Sequence, residues 1–147
     1  MIIREFRPKD LKRVYEIEKM SFSNPYDIEM LRQLFDIGTG FLVGQISDYI
    51  VGYIIFWIKD EDQGHIISLA IDNDYKRQNI GSELVKVAID VFKKFNIKRI
   101  NLEVRTQNKE AIYFYKSIGF TCEEKILNYY ENGDNAFKMS FNCFDEC

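Results

Sequence analysis

The sequence predicts an α/β protein built on a mixed, largely antiparallel sheet, twisted in the usual right-handed sense and flanked by helices. Three observations carry this. The β-branched and aromatic runs FLVGQI (41–46), IVGYIIFWI (50–58) and HIISLAI (65–71) follow one another at strand length. From Gly81 to Phe95, apolar Leu84, Val85, Ala88, Val91, Phe92 and Phe95 recur at helical spacing, and a strand-like run from Ile97 to Val104 comes next. Two last strand-like stretches, roughly 120–130 and 136–142, flank the turn Glu131-Asn132-Gly133-Asp134.

Taken in order, IIREF (2–6) reads as an edge strand. Pro8 stands where a helix through Leu11, Val14, Ile17 and Glu18 begins, since proline's fixed φ and missing N–H suit a first helical turn. A second helix spans 26–35 and is broken by Gly38 and Gly40. The short connection Ile46-Ser47-Asp48-Tyr49 makes an antiparallel hairpin of the next two strands. The helix from Gly81, lying between the strands 65–71 and 97–104, completes a β-α-β unit. A further helix, 108–118, ends at Gly119 and leads into the final pair of strands.

With 147 residues, 46% of them hydrophobic, the chain is sized for one core, and no repeat or linker divides it. Residues 1–147 are therefore expected to form a single domain. A formal charge of −3 argues against a nucleic-acid binder resting on a broad basic field, so any polyphosphate site must be built locally. Cys122, Cys143 and Cys147 are odd in number and form no C-x-x-C pair, which disfavours a disulfide framework. Cys122 reads as a strand residue and the other two as tail residues. The N-terminus MIIREFRPKD carries charges where a signal peptide needs an apolar core, and no apolar run approaches the roughly 20 residues that span a bilayer. The expected setting is soluble, reducing and cytoplasmic, with no membrane partner.

Between the strand ending at Ile71 and the helix near Gly81 lies Asp72-Asn73-Asp74-Tyr75-Lys76-Arg77-Gln78-Asn79-Ile80-Gly81-Ser82. Unpaired N–H groups at a helix start, the positive end of its dipole, and the charges of Lys76 and Arg77 suit a phosphate. An ordinary loop with a solvated basic pair has the same composition. Downstream, EVRTQNKEAIYFYKSIGF (103–120) places Asn108 and Tyr115 on one helical face, about 10 Å apart along the axis. Taken alone, Asn108 is an N-cap and Tyr115 a core residue.

Together these segments resemble the GNAT superfamily of N-acetyltransferases. Its E-V-R-x-x-N-x-x-A-x-x-x-Y-x-x-x-G-F run is matched by Glu103, Val104, Arg105, Asn108, Ala111, Tyr115, Gly119 and Phe120. The run follows a strand-loop-helix of form R/Q-x-x-G-x-G/A, from which this chain departs: Lys76 replaces Arg or Gln, and Asn79 replaces the first glycine. Asparagine accepts positive φ better than most residues, so the turn is expected to survive. The resemblance covers essentially the whole chain and is greatest to N-terminal amine acetyltransferases of the ribosomal-protein alanine and archaeal α-amine types.

The resemblance implies a GNAT-like fold and acetyl-CoA as cosubstrate. It implies that Arg77, Gln78, Asn79, Ile80, Gly81 and Ser82 hold the CoA phosphates and that Asn108 contacts the cofactor. Backbone N–H groups at Leu69, Ala70 and Ile71, freed by a local splay of the sheet, would face the acetyl carbonyl, a kind of contact often worth about 2.7 to 4 kcal/mol per donor. The Tyr115 hydroxyl would donate to the departing sulfur, since a phenol of pKa about 10 stays protonated at pH 7. Two candidates remain for the base. Glu103 alternates with Leu102 and Val104 and so faces away from their core side, while His65, the only histidine, heads the preceding strand. Two such ligands do not establish a metal site.

For the acceptor, an α-amine of pKa about 7.8 is roughly 10 to 15% neutral at pH 7, against about 0.04% for a lysine of pKa about 10.4. A protein or peptide N-terminus therefore demands less of a base. Phe22, Tyr26, Tyr129 and Tyr130 resemble the aromatic residues flanking the peptide groove in this branch, and equally suit core or hairpin packing. The acidic residue some relatives carry just before Pro25 is Asn24 here. The resemblance leaves room for association with the ribosome or an auxiliary subunit. Acetylation of a small amine or a lysine, and a noncatalytic acyl-CoA-binding module, are the competing readings.

Overall fold

The computed structural model describes residues 1–144. Its elements run β1 (Ile2–Glu5), α1 (Leu11–Ser21), α2 (Ile28–Asp36), β2 (Gly40–Ile46), β3 (Tyr49–Ile58), β4 (Gln63–Ile71), α3 (Ile80–Lys94), β5 (Arg99–Arg105), α4 (Lys109–Ile118), β6 (Thr121–Ile126) and β7 (Ala136–Asn142), with short 3₁₀ turns at Pro8–Asp10 and Asn73–Tyr75. The strands are mixed and largely antiparallel, as expected: β1 with β2, β2 with β3, β5 with β7 and β6 with β7 run antiparallel, while β4 and β5 run parallel. Among the described residues no helix is long and apolar enough to cross a membrane.

The chain gathers into two compact units, Met1–Trp57 with Ile66–Val91, and Ile58–His65 with the chain from Phe92 onward. In the first the strand order is β1-β2-β3-β4, with β1 at the edge as its sequence implies. Apolar residues at helical spacing on α1 (Val14, Ile17) and α2 (Leu31) meet Phe6, Phe41, Val43, Tyr53 and Ile55 in one buried cluster. In the second unit the order is β4-β5-β7-β6, and Phe92, Ile100, Leu102, Val104, Phe120 and Met139 are buried.

Several boundaries differ from the sequence reading for identifiable reasons. The first helix is preceded by a 3₁₀ turn because Asp10, paired with both terminal guanidinium nitrogens of Arg4, accepts the Arg7 N–H at 2.8 Å. The second helix starts at Ile28 and not at Tyr26: Asp27 caps it by accepting the Met30 N–H, and the Tyr26 N–H goes instead to Glu18. Phe95 lies past the end of α3 and is exposed. The strand expected to reach residue 130 stops at Ile126, since residues 127–135 turn on their own hydrogen bonds, Tyr130 N–H to the Asp134 carbonyl and Asn128 N–H to Asn135 Oδ1. Cys122 is on β6 and exposed, whereas Cys143, read as a tail residue, is buried behind a hydrogen bond from its N–H to the Lys98 carbonyl. Cys147 lies outside the described residues.

The first unit has a buried carboxyl at its centre. Glu18, 2% exposed, accepts from the Tyr53 hydroxyl and, at 3.2 Å, from Ser68 on one oxygen, and from the Tyr26 N–H at 3.0 Å on the other. Burial, and then the Glu18 carboxyl, push the Tyr53 phenol well above its ordinary value of 10. Because hydroxyls rotate and can also accept, a glutamine at 18 can keep its oxygen on Tyr26 and turn its NH₂ toward Tyr53 and Ser68. Glu18→Leu strands all three donors, each at about 1–3 kcal/mol before relaxation. Chemical denaturation should therefore rank Glu18→Leu far below Glu18→Gln, with the glutamine variant near the parent; equal losses would show that these hydrogen bonds do not hold the unit together.

Candidate active site

In the first unit, β4 leads directly into the turn that precedes α3. The Asp72 N–H donates to the Val51 carbonyl at 2.8 Å, and its carboxylate accepts the Asp74 N–H at 2.9 Å and pairs with Arg13, which also donates to the Ile50 carbonyl. Burial alone would raise the Asp72 carboxyl, but the Asp74 N–H and the Arg13 guanidinium outweigh it and hold the group below its ordinary value. The turn thus leaves the sheet from a fixed point.

Asn79 has φ 63°, the left-handed conformation expected of an asparagine standing where the family has glycine. Arg77 shares it at φ 66°, which the sequence does not announce, since arginine has no preference for that region. The Asn79 carbonyl accepts the Glu83 N–H at 3.0 Å and so begins α3, which leaves Ile80, Gly81 and Ser82 in the first turn, where N–H groups have no intrahelical acceptor. Arg77, Gln78 and Asn79 are exposed, Gly81 and Ser82 half-buried, and Ile80 is buried. Along β4 burial alternates, with Ala70 buried and Leu69 and Ile71 half-buried. The pairing of β4 with β5 includes Gln63 with Arg99, Gly64 with Ile100 and His65 with Asn101.

In the second unit that register decides a geometry. His65 lies opposite Asn101, so Glu103, two residues further along β5, projects from the same face, away from buried Leu102 and Val104. His65 Nε2 and Glu103 Oε1 are 2.7 Å apart, and the Tyr129 hydroxyl donates to the same oxygen at 3.2 Å. Burial would raise the Glu103 carboxyl, but the hydrogen bond and charge of His65, then the Tyr129 hydroxyl and Lys59, hold it below its ordinary value. A carboxylate only accepts, so the hydrogen in the 2.7 Å contact belongs to His65 Nε2; the charged ring, whose charge lowers Glu103, carries a second hydrogen on Nδ1, and the neutral ring that keeps Nε2–H on Glu103 has its lone pair on Nδ1. The two base candidates of the sequence are one hydrogen-bonded pair. Tyr129, expected as a groove aromatic or as core or hairpin packing, joins them, and no local spacing could have revealed this because it comes from the far side of β6.

The α4 residues of this unit are placed by the helix ends. Asn108 accepts the Ala111 N–H at 3.1 Å as an N-cap, which commits its side-chain oxygen. Tyr115 is buried, edge-on to Phe120 at 5.4 Å, and burial pushes its phenol well above 10. Its carbonyl accepts from Gly119 and Phe120, and Gly119, at φ 122°, ends the helix where a side chain would be strained. Of the four aromatic residues, exposed Phe22 and half-buried Tyr26 belong to the first unit, and Tyr129 and Tyr130 to the second.

Comparison with known proteins matches this arrangement to one family. The model described as Acetyltransferase (GNAT) family matches residues 11–120. An uncharacterized N-acetyltransferase of Methanocaldococcus jannaschii is 37% identical over 143 residues, spanning 95% of this chain and 90% of the relative. An N-alpha-acetyltransferase of Sulfurisphaera tokodaii is 28% identical over 151 residues, spanning 94% of this chain and 90% of the relative. The crystal structure of Ard1 from Thermoplasma volcanium superposes with a TM-score of 0.93 at 32% identity, covering 98% of each chain. With most of its length inside the family model and a relative above a third identical along nearly all of it, the chain belongs to the acetyltransferase (GNAT) family and is an N-acetyltransferase.

Proposed function

We propose that this enzyme transfers the acetyl group of acetyl-CoA to the α-amino group at a protein N-terminus, by direct attack with both substrates bound and no acyl-enzyme. The observation that carries the acceptor is the pair of His65 and Glu103. An imidazole with a bare Nδ1, its other nitrogen on a carboxylate, can take one proton from an attacking amine. Such a base suits an α-amine, a fair fraction of which is already neutral, and falls short of a lysine, nearly all of which is protonated. The S. tokodaii relative's name supports the same acceptor. His65 is assigned the proton and Glu103 the imidazolium that results. Of the two candidates left open by the sequence, Glu103 is not given the proton, because its Oε1 already accepts from His65 and from Tyr129.

Acetyl-CoA supplies an activated thioester, and the chain's own residues fit it. The left-handed Arg77 and Asn79 and the α3 start at Ile80, Gly81 and Ser82 present N–H groups suited to phosphate, with Arg77 and Gln78 beside them. Backbone N–H groups at Leu69, Ala70 and Ile71 are assigned to the acetyl carbonyl. Asn108 retains an amide NH₂ for the cosubstrate once its oxygen serves the cap. The Tyr115 phenol stays protonated throughout. Proton loss from a phenol raised this far runs uphill, so Tyr115 acts chiefly by donating a hydrogen bond to the departing sulfur. Phe22 and Tyr26, with Tyr129 and Tyr130, are assigned to the peptide acceptor.

Acetyl-CoA turnover with peptides of varied first residue, beside polyamines and peptides blocked at the N-terminus but carrying lysine, tests the acceptor directly when products are mapped by mass spectrometry. Acetyl on the α-nitrogen is expected; acetyl on polyamine or lysine alone would move the enzyme to another acceptor class.

Three substitutions test the assigned roles. His65→Gln should lower kcat/KM about a hundredfold near pH 6.5, a deficit that shrinks as pH rises past the α-amine pKa near 7.8 and neutral amine arrives unaided. Glu103→Gln should show the same trend with a smaller loss. A His65→Gln profile overlaying the parent, beside a steep loss for Glu103→Gln, returns the base role to Glu103. Tyr115→Phe should lower kcat more than acetyl-CoA affinity, because its hydrogen bond strengthens only as charge develops on sulfur; unchanged kcat with chemistry limiting would remove it from that role.

A further inference from the structure

Arg105 completes the Glu103-Val104-Arg105 run of the matched motif, yet neither the cosubstrate nor the base assignment uses it. It ends β5 on the same face as Glu103. Its Nη1 donates to Asp134 Oδ2 at 2.6 Å, and its guanidinium carbon lies 3.8 Å from the centroid of the Tyr130 ring. Gln107 Nε2 donates to the same Asp134 oxygen at 3.0 Å, and the Thr106 N–H to the Asn135 carbonyl at 3.1 Å. The connection from β6 to β7 is thereby fastened to the end of β5. Within it, Tyr130 meets Tyr129 edge-on at 4.9 Å, and the Tyr129 hydroxyl reaches Glu103. Asp134, Arg105, Tyr130, Tyr129, Glu103 and His65 form one continuous chain of contacts.

We propose that Arg105 is a positioning residue: by stacking on Tyr130 and holding Asp134 it sets the 127–135 connection so that the Tyr129 hydroxyl rests on the Glu103 oxygen that also meets His65. Arginine is needed because one planar cation must do both jobs at once, a flat face on an aromatic ring and an in-plane N–H on a carboxylate. A lysine ammonium is a point charge without that flat face. Tyr129 then has two tasks, orienting the Glu103 carboxylate and presenting its ring to the acceptor. The inference rests on the reading of His65 and Glu103 as the proton-accepting pair, and its catalytic consequence follows from how steeply rates fall when such groups are misplaced.

The test compares Arg105→Met, Tyr129→Phe and the double variant with the parent. Because the chain has one histidine, the His65 ring resonances are read by NMR without ambiguity. Arg105→Met and Tyr129→Phe should displace those resonances alike, the double variant no further, and Arg105→Met should speed hydrogen exchange at the 127–135 amides. With an N-terminal peptide, Arg105→Met should lower kcat on the order of tenfold to a hundredfold while acetyl-CoA affinity holds, and most of that loss should vanish in a Tyr129→Phe background. Unmoved His65 resonances, unchanged exchange, or losses that simply add would overturn the proposal. Should the parent acetylate no α-amine peptide, the proposed acceptor fails, and Arg105 stands or falls on the resonances and exchange alone. If Arg105→Met does not fold, Arg105→Lys serves: a smaller displacement in the same direction supports the proposal, and parent-like resonances reject it.

Discussion

The parallel step from β4 to β5 is the constraint on which the rest depends. Parallel neighbours cannot be joined by a tight turn, so the chain must cross over, and α3 is that crossover. One consequence is that β4 must deliver the chain to a helix start, the place where backbone N–H groups go unpaired and the helix dipole is positive. Another is the register itself. With His65 opposite Asn101, the period of two along β5 puts Glu103 on the His65 side, and a hydrogen bond of 2.7 Å follows. A shift of one residue would have turned Glu103 into the Leu102 and Val104 core.

The face carrying this pair is polar well beyond the two residues themselves. Asn101 donates to Gln63 at 2.9 Å, yet its buried Oδ1 has no partner among the described residues. Ser140 donates to Glu123 at 2.7 Å, Arg99 pairs with Glu123 and donates to Ser140 at 3.1 Å, and Lys138 approaches the other Glu123 oxygen at 3.7 Å. An unsatisfied buried acceptor typically costs about 1–3 kcal/mol. An apolar face would be the more stable choice, and local rules of this kind are broken mainly where a site needs the chemistry. By contrast, the polar centre of the first unit, Glu18 with Tyr53, Ser68 and Tyr26, has a donor on each carboxyl oxygen.

What the sequence makes legible is what repeats at short range. Strand periodicity, the helical spacing of Leu84, Val85, Ala88 and Phe92, and the Gly119 stop all depend on near neighbours, and these elements form where they are expected. So does the left-handed Asn79, because the conformational tolerance of asparagine is a property of one residue. The misplaced boundaries are those decided at longer range: Tyr26 is drawn out of α2 by Glu18, and residues 127–130 leave the strand to serve the turn held by Arg105 and Asp134. The same limit applies to the candidate site. Alternation along β5 gives the side of Glu103, but that His65 and Tyr129 share one of its oxygens depends on strand pairing and on a connection more than twenty residues away.

In the proposed reaction His65 and Glu103 work as a pair, the neutral imidazole holding its proton on Nε2 and a lone pair on Nδ1. Nitrogen-15 NMR of the single histidine ring, recorded above its titration in the parent and in Glu103→Gln, reads that arrangement directly. The parent should show one dominant tautomer, protonated at Nε2, which weakens to a mixture when the carboxylate is removed. A parent ring protonated at Nδ1, or a tautomer ratio indifferent to Glu103, would contradict it.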